Sequence, residues 1–458
     1  MSGISLIISF VIAIVIMIWM ISKLKVHPFL ALMSISLILA IVAGIDLAKI
    51  PSIIGNGFSG IFKSIGIVII FGALIGTILE KTGAALKLAD MVVNCVGQKR
   101  PELAMLIMGW VVGIPVFCDS GFVVLNPIRE ALRKKISANP VGMAVALSGG
   151  LYAAHVFIPP TPGPIAAAGA LGLGGNLLLV IGMGVVVSIP VLIGVYMFAR
   201  RIGDEVSISD EEANAIISQS YEDLIKQYGK LPGGFLSVAP IFMPILFMAL
   251  GSIAKILGIS GAFGNLLAFL GNPIMALAIG VVFGILLLAD TNKLPAFNDM
   301  TNETLKIVGP ILFITAAGGV LGQVITSAGF VDYIKENAAV ISAAGIFFPF
   351  LISAILKTAQ GSSTVAIITT ASIMGAFNAD NSLMMALGLT SEIAAALCVM
   401  AIAAGAMCVS HANDSYFWVV TNFSKMTPQQ GYRTQTMMTF IMGIVGIASV
   451  YILSLVLL

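Results

Sequence analysis

The chain has 458 residues, 59% of them hydrophobic and only 10% charged, with a net charge of +2. Soluble domains carry about 25% charged residues, so this composition, with a mean hydropathy of +1.08, excludes a soluble globular fold. It also leaves no basic run interleaved with aromatics, which excludes a nucleic-acid partner. The apolar residues gather into stretches of about 17 to 25, the length of a helix crossing a hydrocarbon core ~30 Å thick. That predicts an all-α, polytopic membrane protein in contact with the lipid bilayer.

The first stretch, "ISLIISFVIAIVIMIWMI", is apolar on every side, whereas the strands of a membrane barrel alternate over roughly ten residues. No cationic segment precedes it, and Lys23 and Lys25 follow it, the pattern of a retained anchor rather than a cleaved signal peptide. Counting this stretch as 3–22, the first half has predicted spans at 28–45, 61–80, 141–170 and 175–199. Between them, 103–128 is apolar but broken by "CDSG" at 118–121. Residues 200–236 form the one long polar stretch, in which Ser209 and Glu212 stand at capping-box spacing before a short amphipathic helix. This predicted cytoplasmic linker separates an N-terminal membrane unit, 1–199, from a C-terminal one, 237–458. The second unit has predicted spans at 237–257, 272–289, 309–326, 391–422 and 435–457, and its own broken segment at 341–376.

The two units match each other. "PFLAL" at 28 returns as "PIMAL" at 273; Asp46, Lys49 and Pro51 return as Asp290, Lys293 and Pro295; Gly72, Gly76 and Gly83 return as Gly318, Gly322 and Gly329. Three independent segments share one offset, which predicts an internal repeat. The glycines are read as close helix packing, an architectural role. Five spans per half invert the second repeat relative to the first. The fold expected is therefore two inverted-topology repeats of about ten transmembrane helices plus two re-entrant hairpins. A twelve-span version keeps the same parity.

Charge placement orients the chain. With both termini outside the cytoplasm, eighteen of the 23 lysines and arginines fall in cytoplasmic loops, Arg129 and Arg133 among them, and only Lys49, Lys63, Lys255 and Lys335 fall outside. This is the positive-inside bias. Lys357 alone lies within an apolar segment. Cys95, Cys118, Cys398 and Cys408 form no CxxC pair and are read as small buried hydrophobes.

Four polar breaks carry the chemistry: "CDSG" at 118–121, "AAHVFIPPTPGP" at 153–164, "LKTAQGSST" at 356–364 and "VSHANDSYF" at 409–417. Irregular backbone at membrane depth survives only where protein buries it or it lines a cavity. Breaks paired by a repeat are expected to meet near the midplane, where half-helix N-termini face an anionic substrate. Candidate substrate contacts are Asp119, Ser120, Gly121, Thr161, Lys357, Thr358, Gln360, Gly361, Ser362, Ser363, Thr364, Asn413 and Ser415. Any one hydroxyl can instead bond back to the preceding turn of its helix. Ionisable groups in a membrane interior are costly and therefore point to function. Asp119, Asp414, His155 and His411 are the proton-coupling candidates, with His155 and His411 taken as equivalent positions of the repeat. Lys357 either pairs with Asp119 or Asp414 or meets the substrate carboxylate directly.

With "KVHPFLAL", "CDSGFVVLNPI", "PPTPGPIAAAG", "KTAQGSSTVA" and "SHANDSYFW" spread over almost its whole length, the chain resembles the gluconate permease family. These are bacterial inner-membrane gluconate:proton symporters within a wider ion-transporter superfamily. The resemblance implies proton-coupled uptake of gluconate, a related sugar acid or a glycerate-like hydroxy acid, with D-serine or another small amino acid as the alternative substrate class. It also implies a superfamily in which relatives use paired hairpins and elevator-like motion. The family often carries "PPHPGP" where this chain has Thr161, so an imidazole at that position is absent here. No metal, cofactor or ATP site is expected: no HExxH, GxSxG or Walker A motif occurs. Sodium stays open as a coupling ion, and a homodimer stays open as an assembly. A channel is the rival class, but four asymmetric breaks suit a closed site better than a ring of filter carbonyls.

Overall fold

The computed structural model describes residues 3–96, 100–136, 139–206, 228–229, 231–328, 345–379, 382–412 and 414–458. Its described residues are helical, without a strand. The capping box at Ser209, Gly329 and Asn413 lie outside them, as does the side chain of Gln360.

The first half runs α1 (Gly3–Ser22), α2 (Pro28–Val42), α3 (Ile50–Ile61), α4 (Ile67–Thr82), α5 (Ala84–Val96), α6 (Pro101–Gly113), α7 (Cys118–Ile136), α8 (Pro140–Phe157), α9 (Pro162–Ala170) and α10 (Leu177–Glu205). A π-helical turn, Phe62–Gly66, joins α3 to α4. The second half runs α11 (Gly234–Ile256), α12 (Gly261–Gly271), α13 (Pro273–Asp290), α14 (Phe297–Ser327), α15 (Phe347–Gln360), α16 (Ser363–Met374), α17 (Leu383–Ala386), α18 (Glu392–Met407), α19 (Ser415–Phe423), α20 (Pro428–Gly431) and α21 (Met437–Leu457).

By length and composition, six of the described helical stretches can cross a membrane, or seven if the bent pair α4–α5 counts as one span. Several other predicted spans are shorter helices. The stretch 28–45 becomes a helix of 15 residues because Gly44, at φ +80°, turns the chain after Val42. The span placed at 61–80 extends back through α3, where Pro51 suits the first turn of a helix. The sequence reading had no counterpart for α12, which packs on α11 where a Cβ on Gly251 would lie 2.9 Å from the backbone of Gly271.

The core lies in the middle of each half. Every position of α8 from Val141 to Phe157 is buried, and so are Val365–Met374 of α16 and Ala394–Met407 of α18. Around them, α1, α2, α10, α11 and α21 turn isoleucines, leucines and valines outward, which in a bilayer is the lipid face. Small residues let the backbones touch. A Cβ on Gly109 of α6 would strike the Leu147 carbonyl of α8, and one on Gly405 of α18 would strike the Phe350 carbonyl of α15. Four of the repeated glycines behave as expected of packing residues: Gly72 faces the Pro160 carbonyl, Gly76 the Pro115 carbonyl, and Gly318 and Gly322 face Ser372; Gly83 instead ends α4 at φ +80°, a turn that suits glycine.

Arg129 and Arg133, counted above with the loop cations, lie inside α7 and are buried, as is Glu130 between them. Helix α7 runs further past the break than the apolar pattern shows, so these charges sit against protein rather than water.

Candidate functional site

In the second half, α15 ends at Gln360 and Gly361 takes φ +90°, a left-handed conformation that glycine adopts without a Cβ penalty. The Ser362 hydroxyl then accepts the Val365 N–H at 3.3 Å and starts α16. This is why "LKTAQGSST" is polar: it closes one helix and opens another within three residues. Lys357, in the last turn of α15, folds its ammonium back onto the Gly361 carbonyl.

The second break of that half follows α18. Asp414 is the N-cap of α19, its Oδ1 accepting the Tyr416 N–H at 3.0 Å. Its Oδ2 accepts from Lys357 Nζ at 2.6 Å and from the Ser410 hydroxyl. The Lys357 and Asp414 side chains are 1% and 7% exposed, so the pair is buried and each carboxylate oxygen has a donor. His411 lies in the same break, its Nε2 at 2.9 Å from the Thr358 carbonyl.

In the first half, Asp119 sits in the first turn of α7, only partly buried. Its Oδ1 accepts from the Ser415 hydroxyl at 3.2 Å and its Oδ2 faces the Cys118 thiol at 3.7 Å. Among the described residues no cation pairs with it. The Ser120 hydroxyl donates to the Phe117 carbonyl at 3.2 Å. Gly121 is a packing residue, since a Cβ there would lie 2.8 Å from Leu151 Cδ2.

The break between α8 and α9 is turned inward. The Thr161 hydroxyl lies 2.8 Å from both the His155 and Ile158 carbonyls, and the residue is 3% exposed. His155 is buried with Nδ1 unpartnered, its ring centre 5.8 Å from that of Phe117. The two histidines are not equivalent positions: His155 lies within α8, two residues before its end, whereas His411 follows the end of α18 by four. The longer break after α18 displaces it from the helix.

Besides the Lys357–Asp414 and His411–Thr358 contacts between the breaks of the second half, the helix N-termini at the breaks meet in two pairs. The N-termini of α7 and α19 meet through Asp119 and Ser415. Those of α9 and α16 meet at Gly163, where a Cβ would lie 3.9 Å from Thr364 Cα. Ser363 and Thr364 form the partly buried first turn of α16, and Thr358 is exposed. Tyr152 of α8 links the groups: its ring centre is 5.9 Å from Lys357 Nζ and 5.3 Å from that of Tyr416, and its hydroxyl donates to the Ala406 carbonyl at 3.4 Å. Tyr416 in turn donates to the Ser148 carbonyl at 3.0 Å.

Sequence reasoning missed Tyr152, Ser410 and Tyr416. Ser410 and Tyr416 stand inside the quoted "VSHANDSYF", where a capping aspartate needs local donors. Tyr152 had no signal, being one aromatic in the apolar run "LSGGLYAA".

The site can therefore present helix N-termini, hydroxyls and one carboxylate without a cationic partner. Its one lysine is already neutralised by Asp414.

Comparison with known proteins adds a family. The model described as GntP family permease matches residues 5–456. An uncharacterised permease of Haemophilus influenzae is 33% identical, over 90% of this chain and 85% of its own. The inner membrane permease YgbN of Escherichia coli is 31% identical, over 97% and 98%. A gluconate permease of Pseudomonas aeruginosa is 28% identical, over 96% and 95%. Among solved structures, the YdaH transporter of Alcanivorax borkumensis, described as having an unusual topology, aligns with a TM-score of 0.60 at 16% identity, covering 93% of this chain and 97% of that one. That likeness concerns the fold alone.

Proposed function

Because the chain belongs to the GntP permease family, and so is a multi-pass membrane transporter rather than an enzyme, we propose that it imports a small hydroxylated monocarboxylate with a proton. The substrate in this reading is gluconate, a related sugar acid or glycerate, and the location is the bacterial inner membrane, with both termini outside the cytoplasm. The parallel order of elements in the two halves supports a pair of inverted repeats around the breaks. It also supports reading α6–α7 and α15–α16 as re-entrant hairpins.

The carrying observation is the charge at the breaks. Lys357 and Asp414 cancel, and among the described residues Asp119 has no cation beside it. An ionised Asp119 would repel a substrate carboxylate approaching the helix N-termini gathered at the breaks. Repulsion between like charges in a poorly hydrated site disfavours having both ionised. Protonating Asp119 removes that repulsion and leaves a donor for a substrate hydroxyl. Substrate binding and proton binding are then the same event, which is what symport requires. The carboxylate is received by the first-turn N–H groups of α16 with the hydroxyls of Ser363 and Thr364, because helix N-termini carry unpaired donors and a positive partial charge. Ser415 and Asn413 complete the contacts to substrate hydroxyls.

One observation favours a second reading. A carboxylate without a cationic partner is also what the ammonium of a small amino acid such as D-serine would need, and then Asp119 stays ionised and takes up no proton on binding.

The test uses purified protein in liposomes. With an inward proton gradient, labelled gluconate should accumulate above equilibrium, and a protonophore should abolish the accumulation. Accumulation driven by a sodium gradient alone would replace the proton as coupling ion. Simple equilibration under every gradient would indicate a channel. Binding of D-serine but of no hydroxy acid would establish the second reading.

A further inference from the structure

Arg129 is the largest fully buried side chain among the described residues, 1% exposed, and the symport scheme above gives it no role. It lies ten residues after Asp119 on α7, about 15 Å along a helix that rises 1.5 Å per residue. Its guanidinium donates through Nη2 to Glu130 Oε1 at 2.7 Å and to the Phe423 carbonyl at 3.5 Å. Nη1 reaches the Ser424 hydroxyl at 3.3 Å and the Pro140 carbonyl at 3.1 Å. Glu130 also accepts from Arg133 Nε at 2.8 Å, and the Arg129 guanidinium lies 5.9 Å from the centre of the Phe122 ring.

Phe423 is the last residue of α19 and Ser424 its C-cap. Ser415, which donates to Asp119, is the first residue of the same helix. Helices α7 and α19 therefore run side by side in one direction and are joined at both ends. One joint is the Asp119–Ser415 contact at the breaks, and the other is the guanidinium at the far end. The far joint suits arginine in particular. A helix C-terminus presents free carbonyls and partial negative charge, and a planar fork can engage several acceptors at once where an ammonium cannot hold the same geometry.

We propose that Arg129 is a positioning residue for transport: by fastening α7 to the C-terminal end of α19, it sets the separation of Asp119 and Ser415 at the other end. The inference rests on the symport reading in treating Asp119 as the proton-binding group. Burying a charge is costly, and apolar packing of equal volume holds helices together as well or better. What the charge supplies is a fixed register between two half-helices drawn from opposite halves of the chain.

The experiment measures gluconate affinity from pH 5.5 to 8 for wild type, Ser424→Ala, Arg129→Lys and the double variant, in detergent, on monodisperse fractions only. Ser424→Ala keeps the buried Arg129–Glu130 pair and so guards against loss of folding. Networks that couple a site to a remote group change affinity roughly two- to thirtyfold when cut. Each single variant is expected to fall in that range and to shift the midpoint of the pH dependence. The double variant is expected to be no worse than Arg129→Lys alone, since both cut one joint. Folded single variants with wild-type affinity and an unchanged pH midpoint would overturn the proposal, as would losses that simply multiply in the double variant. A wild-type protein with no pH dependence would instead remove the symport reading, a result visible before any variant is compared.

Discussion

Replacing Lys357 by methionine is the sharpest test of the site. The ammonium is buried, holds Asp414 Oδ2 at 2.6 Å and closes the α15 turn through the Gly361 carbonyl. Methionine fills similar volume without charge, leaving the Asp414 carboxylate buried and unpaired. Removing one partner of a buried pair costs about 3 to 5 kcal/mol. Asp414 keeps the Ser410 hydroxyl and the Tyr416 N–H, so the lower end, ~3 kcal/mol, is expected. At about 1.4 kcal/mol per factor of ten, that is roughly a hundredfold in the folding equilibrium constant. The assay is ligand-free thermal unfolding in detergent, followed by size-exclusion fluorescence. A second variant adds the diagnostic: in Lys357→Met/Asp414→Asn no charge is left unpaired, and asparagine caps helices about as well as aspartate. The double variant should therefore recover much of the loss. Lys357→Met melting at the wild-type temperature, or a double variant melting below the single, would refute the reasoning.

Two further outcomes follow from the same geometry, and a third from the placement of charge along the sequence. Asp119→Asn should lose uphill accumulation but retain exchange of internal for external substrate, and its substrate affinity should no longer weaken as pH rises; undiminished accumulation would take Asp119 out of the proton path. Thr161→Val should lower stability by about 1 kcal/mol, the net worth of an ordinary hydrogen bond, and leave the ratio of gluconate to glycerate uptake unchanged, because the hydroxyl faces only backbone; an altered ratio would place it in the substrate site. Cysteines introduced near 135 and 215 should react with an impermeant reagent only after permeabilisation, whereas one near 380 should react from outside; external reaction at 215 would reverse the topology.

The parts of this fold legible in the sequence are those that polarity encodes. The breaks at 118–121, 153–164, 356–364 and 409–417 were readable because capping residues and unpaired backbone must be polar wherever they interrupt an apolar helix. Asp414 and Lys357 were readable for the same reason, but their pairing was not, since 57 residues separate them and Asp119 was an equal partner by composition. Thr161 was read toward the substrate because a hydroxyl's direction depends on the local turn, and here that turn offers two carbonyls. Arg129 was misplaced because a cation near a predicted helix end is normally solvated. The carbonyls of Pro140 and Phe423 and the Ser424 hydroxyl, together with its neighbour Glu130, give it a reason to be buried, and the part played by the C-terminus of α19 is tertiary. Tyr152 left no trace, since one aromatic in an apolar run is indistinguishable from core.

The cancellation of Lys357 by Asp414 bears on how uptake is powered. On the symport reading with one proton per substrate, the empty carrier crosses with Asp119 ionised, and the loaded carrier crosses with Asp119 neutral and a substrate anion in its place. The two forms carry the same charge across the bilayer, in opposite directions over a cycle. Electrical work of about 2.3 kcal/mol per elementary charge per 100 mV therefore cancels between the two crossings. Uptake would draw on the difference in proton concentration and be indifferent to voltage, so a cell holding a large membrane potential but no pH difference could not concentrate the acid through this protein.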